Sequence, residues 1–194
     1  MNFSLATKRL ILRDFQADDW PYYSQHFKEP ESQKDILRIQ SDDQYLQKTF
    51  AGALWLAKQR SRFGYQLMIV LKDSLQVIGN CSLTSPIIGS RQSQIGWHLS
   101  HAYRGQGLIT ETATCLLALG FQEHRVEAIR ADSFPDNRAS LRVMEKIGMQ
   151  KTQSGFLMRW VRAIKYGERR AIVRYQIKKQ DWLARTELAH SNGK

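Results

Sequence analysis

The residues of this chain best suited to chemistry lie in the run Gln94-Ile95-Gly96-Trp97-His98-Leu99-Ser100-His101-Ala102-Tyr103-Arg104-Gly105-Gln106-Gly107-Leu108-Ile109-Thr110-Glu111. An apolar strand pattern runs into a turn holding two glycines, and a helical pattern opens from that turn. Glycine takes positive φ without steric cost and lets a ligand approach the backbone amides closely. The opening turn of a helix offers unpaired N–H groups at the positive end of its dipole. Joined in this order, the two form a site for a pyrophosphate. A lone Gly-x-Gly at such a junction is equally an ordinary tight turn. A second group lies some 30 residues on, where Asn137 and Ser140 share one turn at a helix start and can face the same cleft. Alone, these two are an N-cap and a surface hydroxyl.

The surrounding pattern supplies elements to hold these groups. Lys8 to Arg13 reads as a first strand. Asp18 or Asp19 caps a short helix with Trp20, Tyr23 and Phe27 on one side and Pro21 in its first turn. Lys28 to Gln40 reads as a polar loop around Pro30. Ser41 and Gln44 have capping-box spacing, ahead of a helical stripe of Leu46, Phe50, Ala53, Leu54 and Ala57. Strands follow over Gln66–Leu71, Gln76–Thr84 and Gln94–Ser100. Gly107 to Glu123 is a helix, Val126 to Asp132 a strand, and Asp136 or Asn137 caps a helix that Gly148 ends. Two closing strands complete the order, the last alternating Ala171, Val173, Tyr175 and Ile177 against polar residues.

This is a mixed α/β chain: one domain over residues 7–182, with a central twisted sheet of about seven strands and about four flanking helices, then a polar tail over 183–194. At 194 residues, 42% hydrophobic and 24% charged, it is long and apolar enough to bury a core. No apolar run approaches the ~18 residues of a membrane span, and the first residues lack the basic head and apolar stretch of a signal peptide. With Cys81 and Cys115 alone, no disulfide framework is implied, and the expected compartment is the cytoplasm. The formal net charge of +11 suggests a polyanionic partner: a phosphate-bearing coenzyme, RNA or an acidic protein. Eight basic residues between Arg159 and Lys179 face Glu168 alone, as a docking surface or as a solvated face.

Four segments together resemble the GNAT acyltransferase superfamily and, within it, the branch of ribosomal-protein N-terminal acetyltransferases. They are Thr7 to Arg13, Ile95 to Leu99, the turn from Arg104 to Glu111, and Asn137 to Met149. They occur in the family's order and span most of the chain. The resemblance implies acetyl-CoA as co-substrate, no metal, and transfer of the acetyl group directly to an amine. It places the pyrophosphate on the amides of Arg104, Gly105, Gln106, Gly107, Leu108, Ile109 and Thr110. Leu99 would offer its N–H to the acetyl carbonyl, Asn137 would contact the pantetheine arm, and Ser140 would stand near the thioester sulfur.

The acid that family members often carry is replaced here by Gln94, which takes no proton at neutral pH. His98, with an ordinary pKa of ~6.5, is the candidate base on the same strand. Glu111, in the first helical turn, reads as structural, and the cysteines as packing residues. Ala102 and Ala171 also depart from the pattern, the latter where the ribosomal branch often has Asp. The expected acceptor is a protein N-terminus, with the enzyme a monomer or homodimer and ribosome or RNA contact through the basic C-terminal region. A small amine such as a polyamine, amino sugar or antibiotic is the second reading. A non-catalytic RNA- or ribosome-binding module on the same fold is the third.

Overall fold

The apolar alternation of the strands is resolved by a single sheet with helices on both faces. The computed structural model describes residues 3–33, 42–59, 62–85, 90–123, 126–152 and 171–191. Its strands are β1 (Ser4–Ala6), β2 (Leu10–Asp14), β3 (Gly64–Leu71), β4 (Val77–Thr84), β5 (Gln92–Leu99), β6 (Ala128–Ser133), β7 (Gln150–Thr152) and β8 (Val173–Lys178). The helices are α1 (Trp20–Lys28), α2 (Pro30–Gln33), α3 (Asp43–Ala57), α4 (Leu108–Gln122), α5 (Arg138–Lys146) and α6 (Lys179–Ser191). The strands lie in the order β1-β2-β3-β4-β5-β6-β8-β7. Described neighbours are antiparallel except β5 and β6, which are parallel because α4 carries the chain back between them.

Side chains alternate across the pleat. Leu10, Leu12, Leu67, Ile69, Ile95 and Leu99 enter one core with Leu116, Leu117 and Phe121 of α4. Met68 and Val70 enter a second core with Tyr23 and Phe27 of α1 and Leu46, Phe50 and Ala53 of α3. Because β3 is buried on both faces, it reads as a continuous apolar run.

The mixed α/β class stands, with eight strands and six α-helices among the described residues. The elements missed are short or polar. β1 is a three-residue edge strand held to β2. Pro30, expected within a loop, opens α2, because a helix tolerates proline where no N–H is needed. The remainder of that expected loop, and Ser41, lie outside the described residues. The cap of α3 is Asp42, whose carboxylate accepts from the Tyr45 N–H at 3.0 Å. The inner stripe of α3 also takes in buried Leu56, which was not foreseen, while Leu54 packs partly buried against the second core as expected. Asp19 stands at the head of α1 but closes no side-chain cap; Arg13 holds its carboxylate from both guanidinium arms, at 2.7 and 2.8 Å.

Residues beyond Trp182, expected as a tail without a packing role, continue as α6 through Ser191. Trp182 anchors this helix on Phe121, with ring centroids 5.2 Å apart. Most of the basic segment lies outside the described residues. Within them, Arg174 is engaged by Asp132 at 2.8 and 2.9 Å.

Candidate active site

The site begins with a gap in the sheet. β5 and β6 pair only from Gln92–Ala128 to Gln94–Arg130. Beyond that point β5 stays paired with β4 as far as Leu99, and β6 stays paired with β8 as far as Ser133. Each strand keeps its outer neighbour and loses its inner one, so a cleft opens through the sheet.

The ladder register decides which groups face this cleft. The Ser100 N–H bonds to the Ile78 carbonyl at 2.9 Å, and β4 and β5 run antiparallel with Gly79 opposite Leu99. Successive residues of a strand point their N–H and C=O groups to opposite edges. The backbone groups of Trp97 and Leu99 therefore point away from β4 and into the gap, beyond the last pairing with β6. The Leu99 carbonyl is covered there by Arg104 Nε at 3.3 Å. Its N–H carries no ladder bond to β4.

The turn after β5 behaves as its residue types require. Gly105 and Gly107 have φ of +79° and +76°, the left-handed region that glycine alone enters freely. A Cβ on Gly105 would meet nothing within 4 Å, so the turn is open to a ligand on that side. The first helical bond of α4 runs from the Glu111 N–H to the Gly107 carbonyl at 3.1 Å. Leu108, Ile109 and Thr110 thus present N–H groups without intrahelical acceptors. Arg9 Nη1 holds the Gln106 carbonyl at 2.9 Å, which turns the N–H of the same peptide, on Gly107, the opposite way.

A clamp that sequence reasoning did not find supports this turn. The Glu111 carboxylate accepts from the Thr7 hydroxyl at 2.6 Å, from the Arg9 N–H at 2.7 Å and from Arg9 Nε at 2.8 Å. Burial works to raise its pKa, but the hydrogen bonds from Thr7 and Arg9 outweigh it and hold the carboxyl below its ordinary value. Glu111 is structural, as expected, though its work is to tie the β2 entry to the glycine turn. Glu111→Ala is expected to cost about 2 kcal/mol, since it strands several donors at once. A fall in Tm of roughly 4–8 °C in a thermal melt would show it.

Asn137 caps α5, its carbonyl oxygen accepting from the Ser140 N–H at 3.0 Å. That leaves the Asn137 amide NH2 as its donor toward a ligand. Both side chains line one cleft of about 830 Å³ together with Leu99, Gly105, Gly107 and Thr110. The structure thus gathers into a single cavity groups from the strand end, the glycine turn and the α5 start.

On the other face of the sheet the same cleft is lined by Tyr23, Tyr45, Trp55 and Phe63, over a floor of Asn80, Ser82, Thr84 and Gln94. Trp55 and Phe63 are large aromatics left 55% and 44% exposed. Trp55 falls off the apolar stripe of α3, and that misfit was the signal available in the sequence. The one carboxylate among the described lining residues is Asp132, already committed to Arg174.

His98 also lines this cleft and lies almost wholly inside the protein, 8% exposed. Its ring stacks on Phe27, with centroids 4.8 Å apart, and its Nδ1 lies 2.5 Å from Nε2 of buried His26. Burial first, then the His26 and Arg104 charges, pushes the His98 pKa down to about 3, with the Ser32 backbone opposing. Burial also lowers His26, against the pull of Glu29. Both rings are neutral at a pH where a free histidine, near ~6.5, begins to charge. The unfolded chain then binds protons that the folded chain does not. The stability contributed is complete above about pH 6.5 and is lost as the pH falls toward 3. A drop in Tm of about 5 °C between pH 7 and pH 5 is expected by circular dichroism; a flat Tm over that range would contradict it. Burial raises both thiols as well, Cys81 and Cys115, in keeping with packing roles.

Comparison with known proteins places the chain in a family. Residues 9–150 match the family described as acetyltransferase (GNAT) domain. The chain belongs to that family and is an acetyl-CoA-dependent N-acetyltransferase. It is similar to the uncharacterized N-acetyltransferase YnaD of Bacillus subtilis, 27% identical over 147 residues that cover 76% of this chain and 82% of that one. Its fold is that of a GNAT-family acetyltransferase from Bacillus anthracis, with a TM-score of 0.73 at 22% identity over 92% of this chain and 99% of the other. It is also that of RimL, a ribosomal L7/L12 α-N-protein acetyltransferase solved with coenzyme A, with a TM-score of 0.73 at 15% identity over 91% and 98%. Among the described residues, no helix is long and apolar enough to cross a membrane.

Proposed function

We propose that the acceptor is the N-terminal α-amine of a protein, such as a ribosomal protein. The observation that carries this reading is the neutral acceptor half of the cleft. An amine that is cationic in solution and must stay bound as a cation needs a carboxylate, and the only one lining the described cleft is engaged by Arg174. An α-amine has a pKa of ~8 against ~10.4 for a lysine-like amine. Near neutral pH it therefore offers roughly 200-fold more of the reactive neutral form. A site without a carboxylate favours the acceptor that needs least deprotonation. The aromatic rim of Tyr45, Trp55 and Phe63 suits the apolar side chains of a peptide better than a hydrophilic polyamine or amino sugar. That the RimL fold serves an α-N-protein acetyltransferase is consistent with this choice.

In this reading the glycine turn from Arg104 to Thr110 holds the pyrophosphate and the Asn137 amide holds the pantetheine arm. The Leu99 N–H stabilises the oxygen that gains charge when the amine attacks the thioester carbonyl. The Ser140 hydroxyl hydrogen-bonds the departing sulfur, and the amine's proton leaves to water, since His98 is buried and its pKa is pushed down to about 3. The test is a competition in one vessel: acetyl-CoA with peptides bearing free or blocked α-amines, spermidine and an aminoglycoside, read by mass spectrometry. Acetylation at free peptide α-amines is expected. Acetylation confined to spermidine or the aminoglycoside would overturn the assignment.

A further inference from the structure

We propose that Arg130 is an anion site for the acceptor, meeting a carboxylate that the acceptor peptide carries at its second to fourth residue. The proposal rests on the α-amine reading above and adds to it a preference for acidic N-termini. Arg130 is the last residue of β6 to pair with β5, opposite Gln94. The sheet parts directly beyond it, so Arg130 stands at the closed end of the gap. Its neighbours in the chain, Ile129 and Ala131, enter the core with α4. Side chains alternate along a strand, so Arg130 and Asp132 face the other side of the sheet. On that side Arg130 stands between Gln94 and Asp132, both of which line the cleft.

Charge on this face is out of balance. Asp132 gives both carboxylate oxygens to Arg174, at 2.8 and 2.9 Å, and Arg174 lies diagonally across the β6–β8 ladder from Arg130. One carboxylate thus stands beside two guanidinium groups and is taken by one of them. Arg130 is the other, and its Nε is shut off from solvent without a hydrogen-bond partner among the described residues. Burial first, then the Arg174 charge, lowers its pKa, with Asp132 opposing. An arginine does not escape such a position by losing its proton. A half-buried cation with an unmet donor is costly until an anion meets it.

The neighbours in register suit a carboxylate. Gln94 on β5 and Gln176 on β8 stand on either side of Arg130. Both are uncharged, and each amide can donate a hydrogen bond. Arg130 as a whole is half-buried rather than enclosed, so its terminal nitrogens stay within reach of a ligand. A guanidinium and a carboxylate then join through two parallel N–H···O bonds, which fix the orientation of the peptide as well as holding it.

The length of β5 sets where that carboxylate must lie. Gln94 is five residues before Leu99 on this strand. The level of Arg130 is therefore about 16 Å along the strand from the N–H assigned to the acetyl oxygen. An extended peptide spans roughly 3.3–3.6 Å per residue. The arginine and the acidic side chain cover part of the distance, and two or three residues of peptide backbone cover the rest. A free amino acid, with its carboxylate one residue from its amine, is too short to bridge the two points. The net charge of +11 also draws an acidic segment toward the protein.

Two measurements on the full chain test this site. In the first, peptides with a free α-amine, identical except for Asp, Asn or Lys at residue two, three or four, are compared by kcat/KM with acetyl-CoA. Asp at one of these positions should exceed Asn roughly 10-fold, and Lys should fall below Asn. Arg130→Gln should bring the Asp-to-Asn ratio to about one. Equal rates for Asp and Asn in the parent, or an Asp preference that survives in Arg130→Gln, would overturn the anion site. The second measurement is titration calorimetry of the matching α-acetylated peptides with coenzyme A present, which reads the same ratio as a dissociation constant and needs no turnover. Acid-dependent binding that Arg130→Gln abolishes, with no α-amine acetylated, would keep the anion site and remove the α-amine reading. Absence of acid dependence in both measurements would remove the anion site. The Tm of Arg130→Gln should be no lower than that of the parent, because Asp132 keeps Arg174 and no partner of Arg130 is stranded.

Discussion

Replacing Gly105 and Gly107 together by aspartate is expected to weaken acetyl-CoA binding at least about 1,000-fold. Two effects add. Each position sits at positive φ, where a residue with a Cβ costs ~1–2 kcal/mol. Each new carboxylate also stands beside amides that would otherwise meet a pyrophosphate, and like charges a few ångströms apart at a protein surface repel by a few kcal/mol. Gly105→Ala separates the two contributions. Its Cβ would meet nothing within 4 Å, so only the backbone term remains and a loss of about 10-fold is expected. Isothermal titration reads both variants, and circular dichroism confirms that the fold is kept. A double variant that binds like the parent would remove the glycine turn from the coenzyme site.

The second large effect concerns Leu99. Leu99→Pro deletes one N–H, and that N–H belongs to no ladder bond with β4, because Ser100 and not Leu99 bonds across to Ile78. If the group stabilises the charged oxygen of the transition state, its loss lowers kcat by ~100–1,000-fold, as for other single oxyanion donors. The acetyl-CoA dissociation constant should move by less than ~10-fold, since the pyrophosphate turn is untouched. The side chain also matters to folding, being buried in the main core. Leu99→Ala therefore serves as the partner variant. It keeps the N–H, loses ~2–4 kcal/mol of stability through the cavity it leaves, and should retain most of its kcat. Equal activity in the two variants would show that the N–H does nothing in the chemistry.

What could be foreseen from the sequence follows from how local each cause is. Positive φ at Gly105 and Gly107, and the cap at Asn137, are local demands of a turn and a helix start; residue type alone reveals them. Strand periodicity likewise revealed β3 through β6, because each keeps one register over several residues. β1 was missed because three residues carry too little pattern, and α2 because proline reads as a breaker until its position at a helix start is known. α6 has polar residues nearly all round and is held by Trp182 on Phe121, a contact that no period announces.

The parts of the site that stayed hidden are long-range pairings. Glu111 and Arg9 are 102 residues apart, and His98 and His26 are 72. Neither pair has a spacing that a chain position could suggest. His98 stood out as a histidine on the right strand, but its dependence on α1 required the sheet and helix to be packed. The aromatic rim is similar: Trp55 was visible as a residue off the apolar stripe, yet only the fold brings it beside Phe63 and the β4 floor.

A crystal structure of the protein with acetyl-CoA bound decides whether the glycine turn, Asn137 and the Leu99 N–H hold the coenzyme as proposed. The predicted result has the pyrophosphate within hydrogen-bonding distance of the backbone N–H groups between Gly105 and Thr110, the pantetheine arm passing through the β5–β6 gap beside Asn137, and the acetyl oxygen on the Leu99 N–H. Coenzyme lying outside that gap, or an acetyl oxygen turned away from Leu99, would show that these groups do not form the acetyl-CoA site.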